Sequence, residues 1–187
     1  MNLFYLDDDL ETCVRYHMDS HVQKIPLEVA QMMSSNIWVD HIFAQPMPRA
    51  LTKEETKFFN EEVLKYKKQK KDLTFTCYWP AYTNHPCTIW MRTSTENWYW
   101  SFCYANELDL ERVYRGSAKS HRSVQLINKF LPEPQHIPVG KMTTPAAAVG
   151  DSPIFDSVVE TYRYYYIHYK SHLAAWKNRE VPFWYKT

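Results

Sequence analysis

Five polar side chains share one edge of a predicted helix near the start of the chain. They are His17, His21, Lys24, Glu28 and Gln31. At about 100° per residue they lie within roughly 80° of one another, beside an apolar row. Such a line can offer a proton donor, a proton acceptor and a hydrogen-bonding clamp to one ligand. We predict that the first four residues are catalytic and that Gln31 binds substrate. The alternative is a solvated helix face.

Lys24 and Glu28 are four residues apart, so their simplest interpretation is an ion pair along the helix. The same two groups could also do chemistry. Lys24 could form a Schiff base with a sugar aldehyde or bind phosphate. Glu28, if partly buried, could act as an acid or base. Asp7, which follows the apolar run at residues 3–6, is a further candidate carboxylate.

The spacing of His17 and His21 also fits two metal ligands on one helical face. A metalloprotease motif would place glutamate directly after the first histidine, and this chain has Met18 there. We therefore predict no metal and no cofactor. A third ligand, if one existed, would come from Glu28, Asp7 or His85.

Two later clusters could contact a ligand. Asn84-His85-Pro86, followed by Trp90 and Arg92, places polar groups around a helix start, where anions such as phosphate bind readily. The alternative is a turn plus a core tryptophan. In the last helix, four tyrosines at 162, 165, 166 and 169 share a face. They predict either core packing or a stacking wall for an extruded or single-stranded nucleotide.

A lysine cluster at residues 65–71 is the densest group of charge in the chain. We predict that Lys67, Lys68, Lys70 and Lys71 contact nucleic acid through phosphates, the alternative being a solvated helix end.

Composition excludes several classes of protein. Only three glycines occur, and neither the dinucleotide fingerprint nor the P-loop pattern is present. The net charge of +1 neither favours nor excludes nucleic acid. Four cysteines without CxxC spacing, and no secretory signal, predict a protein of the reducing cytoplasm. No apolar run approaches the roughly 20 residues of a membrane span, so we expect no membrane partner.

The elements that must position these side chains are predicted to be helices. Asp9 should cap a first helix that carries residues 13–21, with a kink or restart near Ile25 caused by Pro26. Thr52 with Glu55 is a capping box that opens a helix to about residue 71.

Three more helices are predicted over 87–108, 117–131 and 155–177, with a long proline-rich connection at 132–153. We predict one all-α domain over residues 1–187, with five to seven helices. Residues 45–80 would be a peripheral insertion.

Motif residues along nearly the whole chain carry a family resemblance. They are residues 2–7, Cys13, His17, Asp19, His21, Val22, Lys24, Glu28, Gln31, residues 84–86, Trp90, Ser94, Asn97, Trp100, Tyr114, Arg115, Lys119, His121, Tyr162, Arg163, Tyr165, Tyr166, Trp176, Pro182 and Trp184. Through them the chain resembles a family of small phage and viral proteins often called pyrimidine-dimer DNA glycosylases. Ser20 and Pro26 depart from the pattern.

The resemblance implies an enzyme that acts on DNA bases in the host-cell cytoplasm. Residues predicted to bind its substrate are Gln31, Asn84, His85, Trp90, Arg92, Asn97, Arg115, His121, Tyr162, Arg163 and Tyr165. Well-studied pyrimidine-dimer glycosylases use an N-terminal amine with a glutamate. That route requires removal of Met1, which is inefficient before a residue as large as Asn2. Glu28 or Asp7 would instead activate water or stabilise an oxocarbenium ion, and Lys24 could supply lyase chemistry.

Two other functions stay open. One is a phage DNA-hypermodification enzyme that transfers a group onto a modified thymine. The other is a non-catalytic viral protein that binds nucleic acid or a host protein. A site lined by His21, Glu28, His85 and Tyr162 would favour an enzyme, and a fully solvated stripe would favour the binding protein.

Overall fold

Helices make up the regular structure of this protein. The computed structural model describes residues 1–69 and 76–186, apart from the side chains of Gln69 and Phe130. The helices are α1 (Leu10–Arg15), α2 (Asp19–Phe43), α3 (Lys53–Gln69), α4 (Pro86–Met91), α5 (Thr95–Tyr114), α6 (Arg122–Phe130) and α7 (Val158–Tyr169), with a 3-10 turn at Ser171–Leu173. The described residues contain no strand, which confirms the predicted all-α fold.

The long helix α2 is the centre of the structure. It packs against α3, α4, α5 and α6, and residues on every side of it are buried. A helix surrounded in this way needs apolar residues around its circumference rather than along one stripe. Its first half belongs to the main core, together with Leu3, Tyr104 and Tyr162. No helix in residues 1–69 or 76–186 is long and apolar enough to span a membrane.

The break before α2 comes earlier than the sequence predicts. Asp9 caps α1 through the Thr12 N–H (2.9 Å), as predicted, but α1 ends at Arg15. Pro26 lies inside α2, which runs unbroken from Asp19 to Phe43, so the predicted restart near Ile25 is wrong. A proline removes only one hydrogen bond of the helix, and here the helix is held by packing on all sides.

Helix α3 packs outside the main core. Its capping box is confirmed, since Thr52 N–H donates to Glu55 Oε2 (2.8 Å) and Glu55 N–H donates to Thr52 Oγ1 (3.2 Å). Phe59 and Val63 of α3 pack with Trp38 in a smaller second cluster at the C-terminal half of α2. Whether residues 45–80 are an insertion stays a prediction.

The predicted helix over 87–108 is two helices in the structure. Helix α4 ends at Met91, and Ser94 caps α5 by accepting the Asn97 N–H (3.2 Å). Helices α6 and α7 are shorter than the predicted 117–131 and 155–177. Between them, residues 131–157 form the irregular connection expected from their prolines.

The N-terminal residues 2–6 are buried without forming a helix or strand. Phe4 adopts a left-handed backbone conformation (φ 38°), which is strained for a bulky residue. The Cys13 thiol stabilises this turn, because it accepts the Leu6 N–H (3.3 Å) and contacts the Phe4 carbonyl (3.5 Å). These contacts hold residues 4–6 against α1.

Candidate active site

Glu28 is the centre of the candidate site. It is only 7% exposed, in the first half of α2. Its Oε2 accepts the Asn2 N–H at 2.9 Å and lies 3.7 Å from the Met1 amine. Its Oε1 lies 3.1 Å from Lys24 Nζ. One carboxylate therefore has two primary amines within reach, an arrangement suited to proton transfer or to attack on an electrophile.

Part of the Met1 main chain is accessible to solvent. The Met1 side chain is only 6% exposed, whereas the residue as a whole is half-buried. The accessible part of Met1 is therefore its main chain, which carries the amine. Lys24 is also accessible, with a side chain that is 70% exposed.

His85 lies beside the same charges. Burial lowers its pKa most, the Met1 amine lowers the pKa further, and Glu28 raises it. Its Nδ1 accepts the Cys87 N–H (3.2 Å) at the start of α4. A neutral imidazole that accepts at Nδ1 carries its proton on Nε2. No described residue bonds this Nε2, so it is available as a donor.

Asn2 and Tyr162 hold the terminus in place. Asn2 Nδ2 donates to the Ala148 carbonyl (2.7 Å), and Asn2 Oδ1 lies 2.6 Å from the Tyr162 hydroxyl. Tyr162 is fully buried, and its hydroxyl also accepts the Ala148 N–H (3.1 Å). Burial raises the pKa of Tyr162 well above its usual value, so the hydroxyl keeps its proton. In the structure the Tyr162 hydroxyl positions Asn2, and a contact of Tyr162 with substrate stays a prediction.

Along α2, His21 precedes Lys24, and Glu28 follows it. Its ring stacks on Phe4 at 4.4 Å, and its Nδ1 is 2.6 Å from the Tyr166 hydroxyl. Burial, followed by the charges of Lys170 and Lys24, lowers its pKa to about 4. His21 is therefore a neutral imidazole near pH 7 and does not supply a charge to the site.

His17 lies in the core with both ring nitrogens bonded, and its predicted catalytic role stays a prediction. It is fully buried, with Nδ1 2.8 Å from the Cys13 carbonyl and Nε2 2.6 Å from the Tyr104 hydroxyl. Because a carbonyl only accepts, Nδ1 carries the proton and Nε2 accepts from Tyr104. Burial lowers its pKa to about 3. Both nitrogens are occupied, and the described part of the chain contains no group of three or more ligands placed for a metal.

Arg92 and Asn84 bond the main chain of neighbouring loops, and their predicted contact with phosphate stays a prediction. Arg92 is buried and donates to the carbonyls of residues 47, 49 and 83 at 2.6–2.7 Å. Burial lowers its pKa to about 10. Asn84 uses both ends of its amide on the main chain of Leu51, at 2.7 and 2.8 Å.

Trp90, Asn97 and His121 also have structural contacts in place of the predicted substrate contacts. Trp90 Nε1 donates to the Thr143 carbonyl (3.2 Å), and Asn97 bonds the Thr143 N–H (2.9 Å) and hydroxyl (2.8 Å). These bonds fix the proline-rich connection to α5. His121 accepts the Ser123 N–H (3.1 Å) and so caps α6.

Arg115, Arg163 and Asp7 are engaged in buried or half-buried ion pairs. Arg115 is bonded by Glu111 (2.7 Å) and Asp19 (2.8 Å). Arg163 binds Asp7 (2.8 Å), so this carboxylate does not join Glu28. The structure thus gives these three residues ion pairs within the protein, and their predicted roles in binding or catalysis stay predictions.

The other predicted residues keep accessible groups. Gln31 is half-buried one turn beyond Glu28, and no described residue bonds its side chain. Tyr165 is half-buried and faces Phe4. Lys67 lies 4.9 Å from the Trp79 ring, and Lys68 is exposed on the same turn of α3. The predicted contacts of residues 70 and 71, both lysines, fall outside the described residues.

In the sequence analysis the N-terminal amine is set aside because of Met1, and no role is assigned to the Phe4 ring or to Lys170. No local pattern shows which distant side chain a chain terminus will meet. No protein-family model, curated protein or solved structure matches this chain. The suggested family therefore stays a prediction.

Proposed function

We propose that this protein is an enzyme that acts on DNA bases, and that its reaction is glycosylase-type cleavage of a modified or damaged base. One observation carries the proposal: the buried Glu28 carboxylate stands 3.7 Å from the Met1 amine and 3.1 Å from Lys24 Nζ. Cleavage of a bond between a sugar and a base develops positive charge on the sugar. A carboxylate held at that point would stabilise this charge.

These groups allow two routes for breaking the C1′–N bond. In the first, Glu28 takes a proton from water, the water oxygen bonds C1′, and the C1′–N bond breaks with its electrons leaving on the base. In the second, a deprotonated amine bonds C1′ and the base leaves in the same way. The Nε2 proton of His85 could pass to the departing base.

The surroundings of Glu28 support a nucleotide as substrate. Lys170 and Lys24 both lower the pKa of His21, so basic groups converge on this face. Phe4 and Tyr165 provide aromatic rings beside them. Cations next to aromatic faces suit a phosphate attached to a base.

The test is incubation of the protein with duplexes that each carry a different modified or damaged base, followed by mass spectrometry of the free base and of the DNA. We expect base release by the natural protein, none by Glu28→Gln, and full release by Glu160→Gln, an exposed carboxylate in the first turn of α7.

Cyanoborohydride in a parallel reaction separates the two routes. A reduced adduct mapped to Met1 or Lys24 indicates attack by an amine, and release without an adduct indicates attack by water. An increase in DNA mass without release would overturn the glycosylase proposal in favour of group transfer onto a modified thymine. No change with any duplex would favour a non-catalytic binding protein.

A further inference from the structure

Four aromatic rings form a nearly parallel row from the core to the surface. His21 and Phe4 stack at 4.4 Å with planes 14° apart. Phe4 and Tyr165 follow at 6.3 Å and 20°, and Tyr165 and Tyr169 at 5.3 Å and 19°. The row begins at the buried His21 and ends at Tyr169, which is 44% exposed. We call these four residues the ring row.

Basic groups accompany the ring row. Lys170 Nζ lies 5.1 Å from the centre of the Tyr165 ring. Lys170, Lys24 and His172 all act on the pKa of His21, and each lowers it. The charged groups that shift the pKa of His21 are therefore all basic. The surface beside the ring row is thus complementary to an anion.

The outer half of the ring row, Tyr165 and Tyr169, makes no described hydrogen bond that would stabilise the fold. The hydroxyls of Tyr162 and Tyr166, on the inner face of α7, bond Asn2 and His21. Among the described residues, the hydroxyls of Tyr165 and Tyr169 have no such bond, and Lys170 has no carboxylate partner. The exposed Tyr169 ring and the half-buried Lys170 amine are thus accessible at the outer end of the row.

We propose that the outer end of the ring row binds an unpaired stretch of DNA, with a base stacked on Tyr169 and phosphates at Lys170 and Lys24. Bases stack on aromatic side chains without regard to sequence, and lysines track the backbone. In a duplex both faces of each base are already covered, so a stacked ring favours an unpaired strand. This inference rests on the proposed function and deepens it, because it makes the substrate of the Glu28 site unpaired or extruded.

The experiment measures fluorescence anisotropy of a labelled oligothymidylate, of its duplex, and of an abasic strand of the same length. We expect the oligothymidylate to bind more tightly than either competitor. Tyr169→Ala should weaken its binding by about 5- to 150-fold, whereas Tyr169→Phe should not. Lys170→Ala should weaken binding and reduce the salt slope by about 0.7.

Matched controls exclude a general surface effect. Tyr99 is an exposed tyrosine on α5, stacked with Phe102, and Lys129 is an exposed lysine on α6. Tyr99→Ala and Lys129→Ala should bind the oligothymidylate as the natural protein does. The proposal is overturned if the abasic strand or the duplex binds equally well, or if Tyr169→Ala binds normally.

Failure of this inference differs from failure of the proposed function. Base release together with normal DNA binding by Tyr169→Ala would overturn the inference alone. Loss of DNA binding in Tyr169→Ala, without base release by the natural protein from any duplex or from single strands that carry the same bases, would support the binding surface and overturn the proposed enzymatic function.

Discussion

Removing the buried hydroxyl of Tyr162 tests how the N-terminus is held beside Glu28. Tyr162→Phe keeps the ring and its packing but takes away one group that contacts Asn2 Oδ1 (2.6 Å), the Ala146 carbonyl (2.7 Å) and the Ala148 N–H (3.1 Å). The change therefore isolates hydrogen bonding from volume.

The expected magnitude follows from what each partner retains. Asn2 Oδ1 still accepts the Leu3 N–H (2.9 Å), whereas the Ala148 N–H loses the one acceptor it has. A buried donor left without a partner costs about 1–3 kcal/mol, and because the Ala148 N–H is only half-buried we expect a loss of about 1–2 kcal/mol. For a chain of 187 residues, this loss corresponds to a melting temperature lower by about 2–8 °C.

Urea unfolding followed by tryptophan fluorescence, with a thermal melt, measures the change. Tyr169→Phe is the matched control, since Tyr169 is exposed and its hydroxyl has no described partner. The control should change the free energy of unfolding by at most about 0.5 kcal/mol. Equal stability of the two variants would refute the idea that the Tyr162 hydroxyl fixes the terminus.

Three further predictions concern stability and binding. His17 and His21 have pKa values lowered to about 3 and about 4 by burial. Below about pH 6.5 the unfolded chain binds a proton at each histidine and the folded chain does not. The free energy of unfolding should therefore be highest above about pH 6.5 and fall by about 1.4 kcal/mol per pH unit for each histidine towards pH 4; a flat profile in urea would contradict this. Arg115→Ala takes the guanidinium away from the buried His17 carbonyl and from Glu111, which keeps Arg179 as its partner, and should cost about 1–3 kcal/mol in the same assay, so an unchanged melt would count against it. Replacing Lys67 and Lys68 with alanine should weaken DNA binding about equally for all sequences and flatten its salt dependence, and unchanged affinity at low salt would leave them as solvated surface.

Features that depend on near neighbours in the chain could be predicted from sequence. Asp9 and the box at Thr52 satisfy N–H groups within their own first turn, so a short window contains the whole signal. The break before α2 depends on distant groups. Asp19 is bonded by Arg115 (2.8 Å) and by the Lys177 N–H (3.0 Å), and no local pattern reveals those partners.

The candidate site divides in the same way. The Lys24–Glu28 pair follows from helical spacing, and the structure contains it. The position of the Met1 amine does not follow from the sequence, because Tyr162 on the last α-helix fixes it through Asn2. Residues such as Arg92 were predicted as ligand contacts because their type suits phosphate. A residue type alone does not reveal that the protein's own carbonyls use those donors.

Base release in a single turnover by the natural protein, Glu28→Gln and Glu160→Gln tests the central claim most directly. Glutamine keeps an oxygen for the Asn2 N–H, and both amines remain accessible, so Glu28→Gln should lose only about 1–2 kcal/mol of unfolding free energy. Its rate should fall by about 10²-fold or more, while Glu160→Gln keeps the natural rate. A folded Glu28→Gln protein that releases base at the natural rate would contradict the claim that this carboxylate is catalytic.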